Sequence, residues 1–421
     1  MQVFAAIACL FGITAILSFV NDRYLRLQTD IGLLLLAVLM TLALRLSEEF
    51  VPSGAIDILR QFTHFFNLND TLLKGVLCFM LFRGSLNVSW ANLREQRWLI
   101  LSLAFLGTAI ACLLTGGFAY ASLSLFNVTI SLTQALLFGA LISATDPVAA
   151  LAILSKVGLP KHLETVVDGE SLLNDGVAVV FFTIFVGMAI GTSAPTWSGA
   201  GSIFVREVLG GCALGVAGWL VIHYLMPRSN TYHTGLLVSL GAVACMYAVA
   251  QLVDFSGPIA TVVAGFLSGN ITRSRLSEAV AAPLRTFWQG LDDILNALLF
   301  VFVGLHVVLI NPLANVTPGV PALVSIVVVL IARALTVMAI VSGLNVVGLI
   351  RANCVGLTKL LTWGGLRGGL SLALAVSLPD SSWKPLVLNM TFATVVFSII
   401  GQGLTIQRMF SKDQLMALLR K

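Results

Sequence analysis

Charge is scarce in this sequence, and the scarcity excludes most of what a chain of this length could be. Only 10% of its 421 residues are Asp, Glu, Lys or Arg, while 58% are hydrophobic; soluble domains carry charge on about a quarter of their residues. No single soluble core could hide this much apolar surface. Cysteine is also sparse. Cys9, Cys78, Cys112, Cys212, Cys245 and Cys354 stand singly, which excludes a metal-ligand or disulfide framework. No basic segment precedes the first apolar run, VFAAIACLFGITAILSFV, and no small-residue cleavage site follows it. That run is therefore kept as a membrane span rather than read as a cleaved leader. The formal net charge of +5 is spread over short loops rather than gathered in one patch, so nucleic acid is not an expected partner.

What the sequence does have is a succession of apolar runs, each about twenty residues long, the signature of an all-α polytopic membrane protein. Mean hydropathy is +0.98. Segmentation gives about thirteen transmembrane helices, at 3–20, 31–46, 71–87, 98–122, 131–154, 165–191, 202–225, 234–253, 257–270, 287–310, 319–345, 358–378 and 386–407. Loops are short, so residues 1–421 form a single transmembrane domain with a short basic tail at 408–421. With the N-terminus outside and the C-terminus in the cytoplasm, seventeen of the 24 Lys and Arg fall on inside loops. Five fall outside: Arg45, Arg60, Lys74, Arg206 and Lys384. The positive-inside rule selects this orientation.

Five charges lie within spans, where ionisable groups are costly and functional by default: Asp146, Glu170, Asp175, Arg333 and Arg367. Asp292 and Asp293, near the expected start of the tenth span, suit headgroup solvation as well as an ion pathway. Asp146 lies in ALISATDPVAALAIL, where Pro147 removes a backbone donor and breaks the helix. Arg367 lies in TWGGLRGGLSLALAV, where four glycines surround it. Paired interrupted spans in corresponding places mark a transporter site. They are the fifth and twelfth spans, which makes two inverted six-helix repeats, 3–191 and 234–407, joined by a linker helix at 202–225. Where the two breaks cross, Asp146 offsets half-helix N-termini and Arg367 half-helix C-termini.

The stretch GESLLNDG places Glu170, Ser171, Asn174 and Asp175 in the sixth span. A carboxylate stripped of water at Asp175 wants a proton or a cation and hardly holds both, which is the chemistry of antiport. Glu170 needs a different partner, and Arg333 in VVVLIARALTVMAIV is the expected one.

Together ATDPVA, GESLLNDG, IARAL and GGLRGG resemble the cation/proton antiporter-1 family, the NhaP-type and NHE-type sodium/proton exchangers, over essentially the whole membrane domain. The resemblance implies a homodimer of thirteen-helix subunits with a mobile core of the fourth to sixth and eleventh to thirteenth helices. It implies a cation at Asp175, with Asp146, Thr145, Ser171 and Glu170 as direct or water-mediated oxygen ligands; such oxygens suit sodium or lithium. Asn174 fills the position of a second aspartate in electrogenic relatives, so the exchange is expected to be electroneutral. Sodium or lithium and protons are the substrates and no cofactor is expected; membrane lipids and monovalent cations are the partners. The long tail of the eukaryotic branch is missing, which points to the inner (plasma) membrane of a prokaryote and a role in pH homeostasis. A potassium/proton antiporter of the same fold is the alternative, and an intramembrane aspartyl protease using Asp146 and Asp175 a distant one. His64, His162, His223, His233 and His306 follow no pattern and are read as loop or core residues.

Overall fold

In a lipid environment every backbone amide must be satisfied within the chain, so the apolar runs fold as helices. The computed structural model describes residues 2–46, 72–147, 150–151, 154–155, 158–191, 197–229, 231–309, 319–350 and 353–410. The tail from 411 onward, Arg60, His64, Lys156 and Arg351 lie outside the described residues.

In chain order the helices are α1 (Gln2–Val20), α2 (Thr29–Leu46), α3 (Leu72–Leu86) and α4 (Trp90–Leu125, with a π-helical turn at Ser102–Gly107). Next come α5 (Leu132–Ser143), α6 (Lys161–Ala189), α7 (Trp197–Leu225), α8 (Tyr232–Leu252) and α9 (Gly257–Leu267). The remainder are α10 (Glu278–Leu309), α11 (Gly319–Val346), α12 (Cys354–Gly364), α13 (Gly369–Val376), α14 (Lys384–Val396) and, after a π-helical turn at Phe397–Gln402, α15 (Gly403–Met409). Among the described residues seven helices are long and apolar enough to cross a membrane, with three shorter apolar helices beside them. The chain is a multi-pass, all-helical membrane protein.

The two helix starts that depart most from the hydropathy reading do so for one reason. α4 starts at Trp90 rather than 98, and α10 at Glu278 rather than 287. Both N-terminal extensions carry charge (Arg94, Glu95 and Arg97; Glu278 and Arg285), and hydropathy discounts charged turns even when they are helical. Asp292 and Asp293 consequently lie some fourteen residues into α10, about 20 Å along its axis, and not near its beginning.

Helix packing gathers around two centres. α4 packs against α5, α6 and α11, and α11 in turn against α12 and α14. Elsewhere α10 packs on α1 and α2, while α9 sits among α3, α7 and α8. Two large apolar cores result: Leu137, Phe138 and Leu141 share one with Leu34 of α2 and Phe300 of α10, and Phe82, Met246 and Trp288 belong to the other. Small residues set the closest approaches, as is usual between membrane helices. At Gly139 of α5 a Cβ would run into the Cys112 carbonyl of α4. At Gly215 of α7 it would meet the Ala260 carbonyl of α9 at 2.6 Å. Ser131 and Gln134 close the start of α5 with a reciprocal capping box, at 3.2 and 3.0 Å.

Candidate functional site

Two helices are interrupted, at the places where proline and glycine predict it. α5 ends at Ser143, and Ala144 to Asp146 run extended before helical geometry resumes at Pro147. α12 ends at Gly364, and the chain unwinds until α13 begins at Gly369. The two extended stretches meet antiparallel, with the Asp146 amide donating to the Leu366 carbonyl at 2.7 Å.

Unwinding leaves carbonyls without helical partners, and charged side chains take them up. The Arg367 guanidinium donates to the carbonyls of Ser143 and Ala144 at 2.8 and 2.9 Å, closing the end of α5. Arg333 of α11 reaches the end of α12, donating at 3.3 and 3.4 Å to the Leu361 carbonyl, which also accepts from the Gly365 amide at 3.1 Å. The Asp146 carboxylate lies against Gly368, so close that a Cβ there would overlap it. That places a negative charge at the N-terminal end of α13, where the helix dipole favours it. Arg367 thus lies at the end of one half-helix and Asp146 at the start of another.

The GESLLNDG helix pins the first break from the side. Ser171 Oγ donates to the Thr145 carbonyl. Asn174 Nδ2 donates to Thr145 Oγ1 at 2.6 Å, and the Thr145 amide donates to Asn174 Oδ1 at 3.3 Å. Asn174 therefore spends its amide on Thr145 and does not line the cavity described below. Glu170 is likewise committed. Arg333 Nη1 and Nη2 grip its two carboxylate oxygens at 2.6 and 2.9 Å, and the side chains are only 5% and 3% exposed. The expected ion pair is present as a bidentate clamp.

Asp175 is different. It faces a cavity of about 120 Å³ that is also lined by Thr145, Asp146, Asp168, Ser171, Asp292, Asn296 and Ser371. The structure thus brings Asp175, Asp146, Thr145 and Ser171 to one cavity, and seats Glu170, Arg333 and Arg367 in the scaffold around it. Asp292 lines this cavity, whereas Asp293 is exposed. Beyond Leu77, Met80 and Leu370 lies a second cavity of about 140 Å³ whose walls include Val179, Phe182, Leu299 and Leu374.

Sequence reasoning missed Asp168, Asn296 and Ser371. Asp168 had a signal: seven residues before Asp175, it returns to nearly the same face of a helix. Asn296 had a weaker one, four residues after Asp292, to which its amide donates at 3.4 Å. Ser371 had none.

A family model described as "Sodium/hydrogen exchanger, transmembrane" matches residues 12–412. The Na(+)/H(+) antiporter NhaP of Pseudomonas aeruginosa is 37% identical over 407 residues, covering 95% of this chain and 94% of that protein. The Na(+)/H(+) antiporter NhaH of Halobacillus dabanensis is 33% identical, covering 89% and 90%. Among solved structures, the sodium proton antiporter MjNhaP1 of Methanocaldococcus jannaschii at pH 8 has the same fold, with a TM-score of 0.77 at 19% identity over 100% of both chains. With helices, breaks and motifs in agreement, the chain belongs to the sodium/hydrogen exchanger family.

Proposed function

We propose that this protein exchanges sodium, or lithium, for protons electroneutrally by alternating access, the two substrates competing for Asp175. One observation carries the reading: in a member of the exchanger family, Asp175 faces a cavity at the crossing of two unwound helices. The relatives named as Na(+)/H(+) antiporters support sodium as the cation.

The chemistry follows from what each group has left to give. Ser171 Oγ donates its proton to Thr145 yet keeps lone pairs toward the cavity. With the Asp175 and Asp146 carboxylates this makes a set of hard oxygen donors suited to an alkali cation. A cation at Asp175 displaces the proton, and a proton displaces the cation. Glu170 is neutralised by Arg333, Asn174 is uncharged, and Asp146 is held against the start of α13. Of the acids at the crossing itself, Asp175 is left as the one that trades, with Asp168 and Asp292 lining the cavity beside it, so one sodium replaces one proton and no net charge crosses. This is secondary transport, with no enzymatic step and no cofactor.

The same reading assigns two inverted six-helix repeats, 3–191 and 234–407, around a linker at 202–225. Its support is the antiparallel pairing of Asp146 with Leu366, each in a span broken at the same place of its repeat. It further assigns a homodimer in the plasma membrane of a prokaryote, N-terminus outside, surrounded by lipid, contributing to pH homeostasis.

The test is flux in vesicles. Purified protein, a pH-sensitive dye and successive additions of sodium, lithium and potassium should give sodium- and lithium-driven proton movement whose rate and extent ignore an imposed membrane potential. A response to potassium alone overturns the choice of cation. Proton accumulation driven by the potential overturns electroneutrality.

A further inference from the structure

Apart from the site just described, a cavity of about 70 Å³ opens between the end of α3, α8, α10 and the turn that follows α9. Its walls are of two kinds. Phe82, Met226, Leu284 and Trp288 are apolar, whereas Arg83, Arg273 and Arg285 bring guanidinium groups from three separate elements. No acid lines it, although exposed Glu278 reaches Arg285 at 3.7 Å from outside. Two polar atoms in the wall are buried without a hydrogen-bond partner, Arg83 Nε and Ser268 Oγ, and Ser268 is only 5% exposed. Buried polar groups without partners are rare in folded proteins and each calls for an explanation. Here a positive concavity and two unanswered polar atoms call for the same thing, an anion with several acceptor oxygens.

We propose that this cavity binds a phosphate group. Guanidinium forks match phosphate oxygens in pairs, which a single ammonium does not. Ser268 supplies a further hydroxyl donor from the turn after α9. The apolar walls, at the arginine-rich ends of membrane helices, suit a phosphate carried on an acyl stem, since basic pockets between such helices take anionic lipid headgroups. Arg83 stands between this cavity and the ion cavity; its charge is felt by Asp168 and Asp292, and its chain neighbour Gly84 lines the latter. The proposal concerns binding, and it holds or fails independently of which cation the protein carries.

The experiment titrates the purified full chain in neutral detergent with phosphatidylglycerol, with phosphatidylcholine of equal chain length, and separately with inorganic phosphate. Native mass spectrometry and calorimetry read the binding. Phosphatidylglycerol should saturate one site, with phosphatidylcholine about tenfold weaker. Arg83→Gln, Arg273→Gln and Arg285→Gln together should weaken phosphatidylglycerol about tenfold or more, while Arg94→Gln with Arg97→Gln on α4 leaves it unchanged. Ser268→Val, which fills the niche without a donor, should cost about threefold. Should the triple variant misfold by its thermal midpoint, Arg273→Gln with Arg285→Gln, both exposed, carries the comparison. Saturation by inorganic phosphate in place of the lipid, lost in the same variants, supports the pocket and names a free anion as its occupant. Unchanged phosphatidylglycerol binding in the arginine variants, or saturation by neither probe, overturns the proposal.

Discussion

Two carboxylates on α6, Glu170 and Asp175, lie about 140° apart around the helix and live in opposite surroundings. On the side facing α11 and α12, Glu170 is sealed from solvent and both of its oxygens are held by Arg333. On the side facing α3 and α10, Asp175 looks into an open cavity shared with Asp146, Asp168 and Asp292. The same functional group is held by a permanent partner in one place and, in the function proposed above, is exchangeable in the other. What separates the roles is whether a permanent cation from the protein already occupies it. A buried acid with a built-in partner has nothing to trade; one without must find its counter-ion in solution.

The largest expected effect tests the open side. Asp175→Asn should reduce exchange about 100-fold or more in vesicle flux while leaving the thermal unfolding midpoint close to wild type. Retained sodium-dependent flux in that variant would erase the distinction. On the sealed side the order reverses, with stability suffering first. Arg333→Ala leaves Glu170 buried and uncompensated and should cost about 3–5 kcal/mol, read as loss of folded protein on size exclusion or a lowered midpoint. Glu170→Leu combined with Arg333→Met should recover part of it, though not all, because the Leu361 carbonyl loses its guanidinium donors and keeps only the Gly365 amide. Gly368→Ala sharpens the comparison where fold and function meet. Its methyl group displaces the Asp146 carboxylate from the crossing, so stability should fall by about 1–3 kcal/mol and flux should fall with it. The smallest effect belongs to Asp168→Asn, in the wall of the same cavity, expected to raise the KM for sodium about threefold with kcat kept, the pattern of a group that attracts rather than reacts.

Much of this was legible because charge in an apolar sequence is conspicuous. Asp146, Glu170, Asp175, Arg333 and Arg367 each announced themselves, and proline and glycine located both breaks. The Glu170–Arg333 pair followed by matching opposite charges within the membrane. What stayed hidden was geometry between helices. That Asn174 grips Thr145, and so leaves the cavity wall, depends on how α6 lies against α5, which no spacing along one helix encodes. Uncharged Ser371 gave no contrast with its surroundings. Asp292 was set too near a helix end because the first turns of α10 are amphipathic, and Asp168 was passed over although its sevenfold spacing from Asp175 placed it on the same face.

At the crossing, Arg367 from one broken helix closes the end of the other, and the Asp146 amide is tied to Leu366. The loose ends are knotted to each other and also, through Thr145 and the Arg367 amide, to α6 and the turn after α14. Neither strand of the knot can slide without dragging its mate, so under the exchange proposed above the whole cradle would travel as one piece. The binding oxygens would then not need rebuilding at journey's end, and only the open door would change.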